Sequence, residues 1–231
     1  MPIKAVLFDA GNTLIFIDRE RTIPVLWEAG AETDPERFRE AECTALELIS
    51  RMVDETSTGM EDDIWSEYFA TLFRENGVPE EHLKEVGERL GALHEEEHLW
   101  TFVDPGTPPA LEALSRAGFR LAVISNADGR VESAIIASGI REHFEFVMDS
   151  MLEGVAKPDP EIFLRACARL GLEPSECLYI GDLYPVDVLG ARNAGLHAVL
   201  LDPLDRYDYP VDRIPTVAYL PDYLDRLSSD D

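Results

Sequence analysis

Apolar residues change their spacing twice along this chain. Residues 4–9 begin Lys-Ala-Val-Leu-Phe and stop at Asp9, with Gly11-Asn12-Thr13 just beyond. A short unbroken apolar run closed by turn residues predicts a parallel strand buried on both faces, with Asp9 presented at its carboxyl end. From roughly residue 18 to 100, apolar positions recur every three or four residues, the spacing of helices that bury one side. Four helices are expected, over 19–29, 34–53, 61–76 and 80–99. Asp34-Pro35-Glu36 supplies a capped start with proline in the first turn, while Gly59, and Gly77 with Pro79, divide the segments.

Past Asp104-Pro105-Gly106 strands and helices alternate. Strands are expected over 120–125, 145–148, 177–181 and 197–201, and helices over 130–138, 160–170, 187–194 and 221–227. Residues 228–231 read as a frayed tail, and no internal repeat is present. Such alternation implies a parallel sheet with helices on both faces. The strand at 4–9 must join that sheet. The expected fold is therefore α/β, with a doubly wound, mostly parallel, Rossmann-like core formed by 1–16 and 103–231. Residues 17–102 form an α-helical cap inserted into it.

Charge narrows the possible partners. Against 20 basic residues stand 46 acidic ones, a net −26, which repels nucleic acid and anionic membrane, so neither is expected as a partner. No window has the apolar length of a membrane span. The first apolar run ends at Asp9, so no signal peptide is expected and the cytoplasm is. Cys43, Cys167 and Cys177 are odd in number and widely spaced, as packed, reduced thiols would be. Lysine occurs only at positions 4, 84 and 157, which makes a lysine at a strand end conspicuous.

Three later strand ends also carry polar residues. Ser125-Asn126 follows one strand, Lys157-Pro158-Asp159 follows the next, and Gly181-Asp182 follows a third, with Asp187 five residues on. Taken singly these are a strand-end serine, a surface lysine and helix-capping aspartates. Together with Asp9 they place a carboxylate, a hydroxyl, a cation and an acidic pair along the carboxyl edge of one sheet, where open α/β sheets bind ligands.

Asp9, Ser125, Lys157 and Gly181-Asp182 with Asp187, in this order, resemble the four motifs of the haloacid dehalogenase-like (HAD) hydrolase superfamily. The resemblance spans essentially the whole chain, including a helical cap between the first and second motifs. It implies a Mg²⁺-dependent phosphatase acting on a small phosphorylated metabolite. Asp9 would attack phosphorus and form an aspartyl-phosphate. Mg²⁺ would be held by Asp9, the backbone carbonyl of Gly11 and Asp182, with Asp187 a weaker or outer ligand. Ser125, Asn126 and Lys157 would bind the phosphoryl group, and Thr13 would steady the turn.

Phosphatases of that family carry a second aspartate two residues after the nucleophile, where it acts as general acid and base. Here Gly11 stands at that position, and Asn12 stands where glycine is usual. Losing such a group typically costs ~10²–10⁴ in rate. Asp18 and Glu20, at the start of the cap, are candidate substitutes. Other members provide alternatives: a 2-haloacid dehalogenase, argued against by Gly11 and Asp182, and a phosphonoacetaldehyde hydrolase, which needs a cap lysine where only Lys84 is present. A HAD fold that binds without turnover is a third. His94-Glu95-Glu96-Glu97-His98 matches a zinc-protease pattern, but its place in an acidic run reads as a solvated helix end.

Overall fold

A computed structural model describes residues 2–56 and 62–229. The break expected at Gly59 and the last two residues of the expected tail lie outside them. The chain divides into two compact units, Met1–Phe16 with Val103–Asp231, and Ile17–Phe102.

In the first unit, strands β1 (Ala5–Phe8), β4 (Arg120–Ser125), β5 (Val147–Asp149), β6 (Cys177–Gly181), β7 (His197–Leu201) and β8 (Arg213–Ile214) make one sheet in the order β5-β4-β1-β6-β7-β8. Every pairing is parallel. β1 sits at the centre, Phe8 opposite Val123 on one side and Ile180 on the other, and its four residues are 0% exposed. Burial on both faces is why its apolar run is unbroken.

Helices α8 (Pro160–Leu170) and α9 (Leu189–Asn193) pack on the face that carries Ala5, Leu7, Ala122, Ile124 and Tyr179. On β4 also packs α5 (Thr107–Arg116), which shares no residue with that cluster and in turn meets α10 (Leu220–Ser229). The remaining short helices of this unit are α6 (Val131–Ala137) and α7 (Ser150–Glu153). This is the α/β, doubly wound architecture expected.

Several boundaries differ from the sequence expectation. The strand expected at 145–148 runs Val147–Asp149, which brings Asp149 into register with Ser125. The helix α5 was not anticipated, since no element was expected between Gly106 and Arg120; Pro108 and Pro109 fall in its first turn, where proline's missing N–H has no partner to lose. The helix expected at 187–194 begins earlier, as a π-helical turn, Tyr184–Val188, that leads into α9.

The second unit holds α1 (Arg19–Glu28), α2 (Pro35–Thr56), α3 (Asp62–Glu75) and α4 (Leu83–Glu96), the last preceded by a 3₁₀ turn, Glu80–His82. A two-stranded ribbon joins β2 (Phe16–Ile17) to β3 (Trp100–Phe102). Phe38, Ile49, Tyr68 and Leu72 are buried between these helices. Also buried is Glu42, which accepts a hydrogen bond from Arg19 at 3.0 Å. The Arg19 guanidinium lies 6.0 Å from the Phe38 ring centroid and 5.2 Å from that of Phe102.

The two histidines of the zinc-like pattern do not share a helix, because α4 ends at Glu96 and Glu97 is extended. His94 Nδ1 accepts from Leu99 N–H and His98 Nδ1 from Trp100 N–H, so each ring caps backbone of the departing strand.

Candidate active site

Within the first unit the sheet order, renumbered from its first strand, reads 3-2-1-4-5-6. Chain direction across the sheet reverses between β1 and β6, and in such folds the crevice at the carboxyl ends of these two strands takes the ligand. Asp9 leaves β1 at that point, its N–H bonded to Ile180 O at 2.8 Å. The turn after it is wound on a single carbonyl: Ala10 O accepts from Thr13, Leu14 and Ile15 N–H at 3.3, 2.9 and 3.0 Å. Gly11 is half-buried in this turn. Asn12 adopts φ 54°, the left-handed conformation that asparagine tolerates better than most side chains, which is how it fills a glycine-like position. Thr13 Oγ1 reaches Asp182 Oδ1 at 3.5 Å, a long contact from the β1 turn to the end of β6.

Lys157 is buried at the centre of the cluster. Its Nζ donates to Asp9 Oδ1 at 2.5 Å, to Asp187 Oδ1 at 2.7 Å and to the Tyr179 hydroxyl at 2.9 Å. Its backbone is clamped by Asn126, whose Oδ1 accepts from Lys157 N–H and whose Nδ2 donates to Lys157 O, both at 2.8 Å. Both polar atoms of the Asn126 amide are thus engaged with the main chain at Lys157. Ser125 lies at the end of β4, next to β1, and its strand neighbour Asp149 accepts from Gly129, Val131 and Met151 N–H.

Asp187 owes its position to the π-helical turn. Its N–H bonds Leu183 O at 2.7 Å while its Oδ2 accepts from Leu183 N–H at 2.9 Å, folding the carboxylate back over the end of β6. There it lies on Gly181: a Cβ at that residue would fall 2.7 Å from Asp187 Cβ and closer still to its carboxylate. Glycine before Asp182 is therefore a steric requirement of Asp187.

Three carboxylates, those of Asp9, Asp182 and Asp187, have oxygens within 4.8 Å of one another, and all three residues are buried. Burial pushes Asp9 up to about 6, with Asp187 adding to the rise and Lys157 opposing it. Asp182 is pushed well above the usual carboxylate range by burial, then by the charges of Asp9 and Asp187. Burial works against the Lys157 ammonium, but Asp187 and Asp9 outweigh it and raise its pKa, so it stays charged. The buried Tyr179 phenol is also raised, by burial and by the same carboxylates, and stays protonated. One ammonium among three carboxylates leaves excess negative charge in a buried place. A hard divalent cation fits both the charge and the all-oxygen donor set.

The structure thus brings Asp9, Thr13, Lys157, Asp182 and Asp187 into one cluster. It sets Ser125 at the neighbouring strand end, Asn126 against the Lys157 main chain, and Gly11 in the turn. Asp18 is occupied otherwise: as the N-cap of α1 its Oδ1 accepts from Glu20 and Arg21 N–H at 2.9 and 3.3 Å. Tyr179 was missed in the sequence. Its only signal there is a hydroxyl inside an apolar strand, two residues before Gly181.

A family model described as haloacid dehalogenase-like hydrolase matches residues 3–195. The mouse (Mus musculus) haloacid dehalogenase-like hydrolase domain-containing protein 3 is 34% identical over 173 residues, 71% of this chain and 68% of the relative. A glyceraldehyde 3-phosphate phosphatase of Methanopyrus kandleri is 33% identical over 207 residues, 85% of this chain and 83% of the relative. Among solved structures, the HAD-hydrolase YfnB of Bacillus subtilis, crystallised bound to magnesium, superposes with a TM-score of 0.69 at 20% identity, covering 97% of this chain and 99% of that one. A lysine held between aspartates where β1 and β6 end, on a chain matched by this family over most of its length, makes the protein a member of the haloacid dehalogenase-like hydrolases.

Proposed function

We propose that this hydrolase is a Mg²⁺-dependent phosphatase of a small phosphorylated metabolite, working through an aspartyl-phosphate on Asp9. The observation that carries the reading is the buried Asp9–Lys157–Asp187 cluster beside Asp182 at the switch point of the sheet. With its pKa at about 6, Asp9 is mostly ionised at neutral pH and is a competent oxygen nucleophile toward phosphorus. Asp9, Asp182 and the Gly11 carbonyl, with Asp187 beside them, would hold Mg²⁺, whose positive charge would let two anions meet. Lys157 keeps Asp9 in place and offsets charge on the phosphoryl oxygens. The Ser125 hydroxyl stands at the next strand end to donate a hydrogen bond to them. Asn126 fixes the Lys157 main chain, and Thr13 braces the turn against Asp182.

The relative from Methanopyrus kandleri, named for a small sugar-phosphate substrate, supports the substrate class. Two buried aspartates beyond the nucleophile favour phosphate over a haloacid, because the phosphoryl group under attack carries the negative charge that a cation would offset, whereas the carbon that loses halide carries none. Gly11 brings no carboxylate to the leaving group, so esters whose alcohols depart without a proton are the better substrates.

The test is a Mg²⁺-titrated panel of alkyl, aryl and acyl phosphates. Turnover is expected to vanish with chelator, with Asp9→Asn and with Asp182→Ala. More than a few per cent of wild-type rate in clean Asp9→Asn protein, or indifference to chelator, would refute the reading.

A further inference from the structure

We propose that Tyr179 is a positioning residue for Lys157, its hydroxyl anchoring the ammonium that holds Asp9. The proposal rests on the reading of this cluster as the catalytic site. An ammonium has three protons, and Lys157 has three acceptors for them: Asp9 Oδ1 at 2.5 Å, Asp187 Oδ1 at 2.7 Å and Tyr179 OH at 2.9 Å. The phenol has one proton to give. Having accepted from Lys157, it donates to Ile124 O at 3.1 Å, with Asp187 Oδ1 a longer alternative at 3.3 Å.

Ile124 directly precedes Ser125, and β1 lies between β4 and β6. The Tyr179 side chain therefore reaches across the central strand, on the face that alternation assigns to Asp9, and ties Lys157 to the main chain one residue before Ser125. A lysine side chain has four rotatable bonds and no rigidity of its own. Two carboxylates attract its charge without fixing a direction, and the phenol supplies the third point that fixes one.

The rest of the ring has other work. It meets Phe163 edge to face at 5.0 Å between centroids, and the Lys157 ammonium is 5.5 Å from the ring centre. A phenylalanine at this place would keep both contacts. Leu178 and Ile180 on either side are apolar, and a buried hydroxyl is unfavourable unless bonded. The hydroxyl is the one part of the side chain that hydrogen-bonds the Lys157 cluster, and the one part a phenylalanine would lack.

Tyr179→Phe isolates that hydroxyl. Expected is a fall in kcat of roughly 10- to 100-fold, the size of one hydrogen bond to a charged group, with KM changed by no more than about twofold. Phe163→Leu, which disturbs the packing around the ring but leaves the hydroxyl and its bonds in place, is the structural control and should lower Tm while keeping kcat. Independently of activity, a stability cycle of Tyr179→Phe with Lys157→Met should be non-additive, the hydroxyl mattering less once the ammonium is gone. A Tyr179→Phe kcat within twofold of wild type, or additive losses in Tm, overturns the proposal. If wild-type protein turns over no phosphate ester, the phosphatase reading falls by itself, and the stability cycle decides whether Tyr179 anchors Lys157.

Discussion

Glu42 offers a pH test of the second unit that owes nothing to its chemistry. The residue is 4% exposed, one carboxylate oxygen accepts from Arg19, and the other, Oε1, is buried with no partner. Burial pushes its pKa from an ordinary 4.5 up to about 7, opposed by Arg19 and more weakly by Arg39. Below pH 4.5 the group is protonated in folded and unfolded chains alike. Between these values the unfolded chain ionises Glu42 while the folded one resists, so stability is lost as pH rises and the loss is complete above about 7. At about 1.4 kcal/mol per pH unit, the difference comes to about 3 kcal/mol.

Glu42→Gln keeps the shape and an acceptor for Arg19 but cannot titrate. Its stability relative to wild type should rise by about 3 kcal/mol between pH 4.5 and 8, most of it between 5 and 7. All three tryptophans, Trp27, Trp65 and Trp100, lie in the unit Ile17–Phe102, so urea unfolding followed by tryptophan fluorescence reads this unit directly. Parallel stability curves for the two proteins across that range would refute the reasoning. They would mean that Arg19 holds the carboxylate ionised in spite of its burial.

At Gly181, replacement by alanine should push Asp187 off β6. Activity should fall at least tenfold and stability by about 1–3 kcal/mol, as overpacking does, read from kcat and a urea midpoint; unchanged kcat would detach Asp187 from the chemistry. At Gly11, restoring a carboxylate should help selectively. In the wild type, kcat/KM should depend steeply on leaving-group acidity, and Gly11→Asp should raise alkyl-phosphate turnover by up to ~10² while leaving aryl phosphates nearly unchanged. A flat wild-type series with rate-limiting chemistry would show that another group already delivers the proton.

The strand ends were legible because their signal is local. An apolar run that stops at Asp9, Ser125 or Gly181-Asp182 names both a strand and its exposed edge, whatever lies elsewhere. What escaped was decided by distant partners. The helix α5, opened by Thr107-Pro-Pro, was not expected at all, and it is held by packing against β4 and α10. His94 and His98 keep helical spacing on paper, but α4 ends between them so that each ring can cap the outgoing strand. Asp187 was expected beside the metal site, but its bond to Lys157 depends on the wider π-helical turn that folds it back. Tyr179 looks like one more large strand residue, because its meaning lies in a hydroxyl whose partners are 22 and 55 positions away.

The position of β1 has a consequence for how the protein is made. Of the strands in this sheet, the first to leave the ribosome is β1, which lies inside it and hydrogen-bonds to nothing nearby in sequence: its neighbours are residues 120–123 and 177–180. At about 5–20 residues per second, the ~170 residues from Phe8 to Gly181 take roughly 10–30 s to synthesise. Through that time four fully apolar-facing residues must stay unpaired without meeting another nascent chain. The unit Ile17–Phe102 is continuous in sequence and emerges complete during the wait. With all of its own sequence already made, it has its partners in hand while β1 still waits. Deleting that insertion should therefore harm soluble yield, and the harm should grow with the rate of expression.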